Sequence, residues 1–275
     1  MRARRGTRPI SRAHRVTERD LALLMQLARA RTLTSPQLVR LMNFNTPSAL
    51  HRRVRALHAL GLLRVHVLAV EWPNIVTLTP KGADMVEEEG LAREEIHVAR
   101  RVVRRDLHAE MIGDLRVSVV LMARRRADVE VEACLADFDL ARAVGRAAKN
   151  AYIPDALVAL RIAGEPLVLA CELDRGFEPG GVIRRKVEAT VGLARASAPL
   201  YGFARWRPVL LASSERRLGT LARHVVAAGG GELWACGLLD ARHELDAARF
   251  ALAAEVADAD APSARLVRRL VLEAS

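Results

Sequence analysis

The sequence predicts an α+β protein in two parts: a small helical domain closed by a strand hairpin, then a larger domain of α/β character. Three observations predict it. Residues 17–89 contain short amphipathic helices followed by two strand-length runs and another helix, whereas residues 127–247 alternate apolar strand-length runs with helical stretches and turn signals. All of the net charge lies at one end. Residues 1–105 carry 20 Lys and Arg against 9 Asp and Glu, residues 106–275 carry 23 of each, and the total is +11. A polyanion would meet the basic end first, through the local field and counterion release. The neutral end must do something else.

The elements follow in order. Residues 17–31 place Leu21, Leu24, Leu27 and Ala28 at helical spacing, with Thr17 as the cap. Ser35-Pro36 starts a second helix running to about Asn43, with proline in its first turn. A third helix follows Thr46-Pro47 and ends at Gly61, with Leu50, Val54, Leu57 and Leu60 as its inner stripe. Ser48, Arg52 and Arg55 then share the outer side, flanked by His51 and Arg53. Runs at 62–70 and 75–79, joined by a turn at 71–74, predict a hairpin. Leu78-Thr79-Pro80-Lys81-Gly82 opens the next helix.

That order over residues 17–89 resembles the winged helix-turn-helix of bacterial regulators, and the run Leu78 to Gly82 is its most specific piece. The resemblance implies that the third helix enters the major groove of double-stranded DNA, where Arg52 and Arg55 face guanines, with Ser48, His51 and Arg53 beside them. The wing tip, with Glu71, Trp72 and Pro73, is a poor phosphate grip. A basic, disordered arm at 1–16, bearing Arg2, Arg4, Arg5 and Arg8, is expected to hold phosphates or a minor groove instead.

The chain of 275 residues is long enough for two cores, and 51% hydrophobic residues can fill them. No apolar run approaches the 18 residues of a membrane span, and no hydrophobic segment follows the basic start as in a signal peptide. Cys134, Cys171 and Cys236 are far apart and odd in number, which fits a reducing cytoplasm better than a disulfide framework or zinc site. Residues 91–126 are expected to form a helical linker. Its Arg100-Arg101 and Arg104-Arg105 pairs suit either DNA phosphates or a solvated face, and a homodimer seam would form along such a helix. His108 within it is assigned a packing role. The tail, 248–275, either packs on the second domain or mediates self-association.

The second half contains the most chemical stretch. Residues 152–160 and 167–174 have strand length, and Ala163-Gly164 lies between them as turn material. With a two-residue loop, Asp155 falls directly opposite Glu172, about 5 Å away on one face. Asp174 shares that face. Neighbouring carboxylates resist ionising together unless a counter-charge is present, and Mg²⁺ held by Asp155 and Glu172 would supply one, polarise a phosphodiester and activate water. A helix from about Val182 to Ala196 places Lys186 roughly 6–8 Å along its axis, leaning back toward Glu172.

Pro154-Asp155 and Glu172, followed by a helix, a strand at 208–212, a helix at 215–228 and a strand at 232–236, resemble the PD-(D/E)xK core of restriction-endonuclease-like domains. The resemblance implies Asp155, Glu172 and Lys186 as catalytic residues, with Asp174 as a further candidate. One departure stands out: the lysine usual two residues after the second acid is Asp174 here. Residues 172–176 with Lys186, Pro154-Asp155-Ala156 upstream and a winged helix in front look like the replication-relaxation family, associated with replication and relaxation of plasmid DNA. That resemblance implies a sequence-specific, double-stranded DNA-binding protein with a nuclease-like domain at 127–247. The alternatives are a catalytically silent winged-helix regulator and a metal-dependent endonuclease or nickase.

Overall fold

The computed structural model describes residues 16–99, 102, 104, 106–145, 152–174, 176, 179–239 and 251–257. The expected arm with Arg2, Arg4, Arg5 and Arg8 lies outside them. The chain divides into two compact units, Met1–Arg105 and Asp106–Ser275.

In the first unit, α1 (Glu18–Ala30) begins at a capping box. Thr17 accepts from the Asp20 backbone while the Asp20 carboxylate accepts from the Thr17 N–H at 2.8 Å. Its inner face keeps Leu24, Leu27 and Ala28 of the expected stripe, with Leu23 buried in place of Leu21. α2 (Ser35–Leu41) has the same kind of box at Thr34, and α3 (Pro47–Ala59) is capped by Thr46. β1 (Leu33–Thr34), β2 (Leu63–His66) and β3 (Ile75–Leu78) form an antiparallel sheet in the order β1-β3-β2. β1 was not anticipated, because two residues carry no periodicity. β2 stops at His66 rather than Val70, since Val67 and Val70 have no surface to pack on and are 67% and 99% exposed.

The Thr-Pro-Lys-Gly run ties α4 (Pro80–Glu88) to the end of α3. Thr79 caps α4 and donates to the Gly61 carbonyl at 2.6 Å, and Lys81 donates to the Leu60 carbonyl at 3.0 Å. A Cβ on Gly82 would sit 2.1 Å from the Leu62 carbonyl oxygen, so only glycine allows this approach.

Arg53 corrects the expected DNA-facing set. It reaches back from α3 to the buried Asp20 of α1, with Nε donating at 2.7 Å and Nη2 making a second contact. Burial opposes ionisation of Asp20, but hydrogen bonds from Arg53 and Thr17 outweigh it and hold the carboxyl below its ordinary 3.8. A depressed carboxyl stabilises the fold above its unfolded value and loses that contribution as pH falls through the folded one. Arg53→Ala is therefore expected to cost about 1–3 kcal/mol at pH 7. Urea melts at pH 7 and pH 3 should show the gap from wild type closing on acidification; a gap that stays constant would assign the loss to packing.

The expected 91–126 linker is not one helix. Among the described residues before the long helix, a 3₁₀ turn forms at Arg93–Glu95, while Ile96 and His97 are buried and the His97 N–H donates to Ala28 at 2.9 Å. α5 (Leu107–Arg125) starts at the Asp106 cap and belongs to the second unit. That unit continues β4 (Val129–Ala136), α6 (Asp137–Val144), β5 (Ala156–Ile162), β6 (Glu165–Asp174), α7 (Gly180–Arg195), β7 (Trp206–Ala212), α8 (Glu215–Ala227), β8 (Ala235–Leu238), β9 (Ala251–Leu252) and α9 (Ala253–Ala257).

The six strands run in the order β4 to β9; β6, β7 and β8 are parallel and the other neighbours antiparallel. One face packs on α5 through Leu115, Val119, Val158, Leu160, Cys171 and Val209. The other packs Leu210 and Cys236 on Ile183 and Val187 of α7 and on Leu218 and Leu221 of α8. Because Ala251, Ala253 and Val256 are buried there too, the second domain extends beyond its expected end at 247.

Candidate active site

The β5–β6 turn sets the site. Ala163 and Gly164 have φ of 50° and 88°, the two positive values of a two-residue type I′ hairpin. The register runs from Ile162↔Glu165 to Ala156↔Cys171, so the next pair outward is Asp155 and Glu172, as the spacing predicts. Glu172 lies on a central strand, beside Leu210 of β7, and is fully buried. It shares the α7 side of the sheet with Leu210, whereas Cys171 faces α5.

Lys186, in the second turn of α7, returns to this point. Its Nζ pairs with Glu172 Oε2 and stands 3.9 Å from Asp155 Oδ1. The remaining oxygens are held from behind. Asp155 Oδ2 accepts from the Leu173 N–H at 2.7 Å, and Glu172 Oε1 accepts from the Tyr152 hydroxyl at 2.7 Å. Tyr201 in turn donates to the Tyr152 carbonyl at 3.1 Å. Burial, helped by the Asp155 charge, pushes the Glu172 carboxyl up to about 8, while Lys186 and Tyr152 pull it down. Burial also raises the Tyr152 hydroxyl well above its ordinary value, so it stays a donor.

Both tyrosines of the chain thus converge here, and neither was assigned from sequence. The available signal was Tyr152 three residues before Asp155. His108, assigned a packing role, has its Nε2 3.8 Å from Asp155 and 3.6 Å from Asp137. Asp174 is not free for chemistry: Arg217 of α8 grips it with Nε–Oδ2 at 2.8 Å and Nη2–Oδ1 at 2.9 Å, and the Gly176 N–H adds a third bond. On α3, Ser48, His51, Arg52 and Arg55 are exposed opposite Leu50, Val54 and Leu57, with Arg53 turned inward.

A family model for replication-relaxation matches residues 24–203. The chain belongs to the replication-relaxation family. No curated protein and no solved structure matches it significantly. The match in this replication-relaxation protein spans α3, Asp155, Glu172 and Lys186, and stops before Arg217. Membership supports a role in replication and relaxation. No helix among the described residues is long and apolar enough to cross a membrane.

The donor set fits a hard divalent ion. Each carboxylate has one oxygen pinned and the other toward the Lys186 ammonium, with His108 Nε2 also 3.8 Å from that oxygen of Asp155. Among the described residues no cluster of three or more His, Cys, Asp or Glu forms a metal site, which would leave the other positions to water and phosphate.

Proposed function

We propose that this replication-relaxation protein binds double-stranded DNA through a winged helix in its first unit and acts on that DNA through a nuclease-like site in its second. The observation that carries the first part is the outer face of α3, with Ser48, His51, Arg52 and Arg55 all exposed beside one another. An α-helix fits the major groove, and arginine can pair bidentately with guanine there. The order α1-β1-α2-α3-β2-β3-α4, with the hairpin leading into α4, supports the winged-helix reading.

In the second unit, Asp155 and Glu172 would hold Mg²⁺. The ion would supply Lewis acidity and a more acidic water at a phosphodiester. Lys186 would offset the charge growing on the attacked phosphate, and Tyr152 would keep the Glu172 carboxylate in one orientation. This supports a DNA nickase or endonuclease working in relaxation. A silent regulator is the second reading. The observation in its favour is Asp174, closed off by Arg217 at the position where the nuclease signature carries lysine.

Supercoiled plasmid incubated with Mg²⁺ or Mn²⁺ separates the two. Nicked product from wild type is expected, with Asp155→Ala and Lys186→Ala each reducing the rate by about 100-fold or more. Tight duplex binding with no cleavage by wild type would establish the silent regulator.

A further inference from the structure

The position of the Lys186 ammonium has a consequence for how the site is loaded. The nitrogen contacts the one oxygen of Glu172 that Tyr152 does not hold, and stands 3.9 Å from the one oxygen of Asp155 that Leu173 does not hold. Neither carboxylate can turn to offer its other oxygen without breaking the bond behind it. An ion held by both carboxylates would therefore compete with the ammonium for these two oxygens. Resting on the metal-site reading above, we propose that Lys186 is an internal cation that competes with the divalent ion. In the metal-free protein it holds Asp155 and Glu172 together, and metal entry drives it off Glu172 toward the substrate phosphate.

Three observations support this. Glu172 is fully buried, so without an added ion its ionised form needs a cation from the protein, and Lys186 provides one. The Lys186 side chain is 21% exposed, so the pair borders solvent on the lysine side. The four-carbon stem thus has an outlet through which the head can withdraw. Tyr152 and the Leu173 N–H do not depend on Lys186, so they would keep the carboxylates aimed after it leaves. While its charge is spent on Glu172 the lysine offsets that carboxylate rather than a phosphate, so metal loading and lysine release would become one event. Cleavage would then require metal first, even with DNA already bound.

The test uses the full chain with Mn²⁺ as probe, titrated calorimetrically into wild type, Lys186→Gln and Lys186→Arg. Removing the competing positive charge is expected to tighten Mn²⁺ binding about tenfold or more in Lys186→Gln, and Lys186→Arg should show no such gain. Adding Asp155→Asn to Lys186→Gln should abolish the gain. Wild type gives a second readout that does not depend on a variant folding. The chain has three lysines, so a ¹⁵N-lysine spectrum should show a slowly exchanging ammonium for Lys186 that is lost as Mg²⁺ saturates the site. Equal or weaker Mn²⁺ binding by a folded Lys186→Gln, or an ammonium signal unmoved at saturation, would overturn the competition and leave the metal site standing. No Mn²⁺ binding by either wild type or Lys186→Gln would overturn both.

Discussion

Arg217→Met is expected to destabilise the second unit by about 3–5 kcal/mol, among the larger losses a single exchange can cause in this chain. Asp174 ends β6 with no exposed surface, and two of its hydrogen bonds come from the Arg217 guanidinium in a side-on fork. Methionine retains much of the arginine stem, so packing is largely kept while the counter-charge goes. The carboxylate is then left in a low-dielectric place with a backbone N–H from Gly176 but without its cation. Restoring neutrality should rescue it: Asp174→Asn in the Arg217→Met background is expected to recover a large part of the loss, because an amide needs no ion partner. Urea denaturation at pH 7 measures both. A cost below about 1 kcal/mol for Arg217→Met would mean the pair is too well hydrated to matter. The same pair gives Asp174 a structural part at the position where the resemblance to nucleases would place a lysine. Asp174 anchors the end of the strand that carries Glu172, and the cation for the site comes from α7 instead.

What could be read in the sequence was local. Thr17, Ser35-Pro36, Thr46-Pro47 and Thr79-Pro80 each mark a helix start, and a cap three residues from the N–H it accepts is within reach of any pattern argument. The Asp155–Glu172 pairing was legible for the same reason, since a two-residue turn fixes every later pair on a hairpin. What escaped was long-range. Arg53 sits on the flank of an amphipathic wheel and looks outward until α1 supplies Asp20, 33 residues earlier and on a face otherwise apolar. Asp174 looks like one more acid on the Glu172 face until Arg217 arrives 43 residues later. His108 and Tyr152 lie before the strands whose ends they reach, and no periodicity records which strand end a loop will cover. A buried charge is intelligible only with its partner, and the partner's position is a property of the fold. β1 and β9, two residues each, are too short to show alternation at all.

The same distinction governs the other large expected effect. Arg52→Ala combined with Arg55→Ala is expected to remove about 2–6 kcal/mol of discrimination between a preferred duplex and a random one, on the order of 1–3 kcal/mol for each guanine contact. The two residues are three apart on α3 and both exposed, so their losses will couple where they read adjacent bases. Competition binding at fixed salt, on a duplex enriched from a random pool by the wild-type chain, measures the ratio. The salt dependence should change little, by no more than the two charges removed, if phosphates are held by the other basic residues. Arg53→Ala serves as the decisive comparison. It removes an arginine from the same helix turn, yet its guanidinium is engaged with Asp20, so discrimination per folded molecule should stay near wild type while stability falls. Should Arg53→Ala erase discrimination as completely as Arg52→Ala, the division of α3 into a reading face and a fastening face is wrong. Should the double variant retain it, the duplex is being read by some element other than α3.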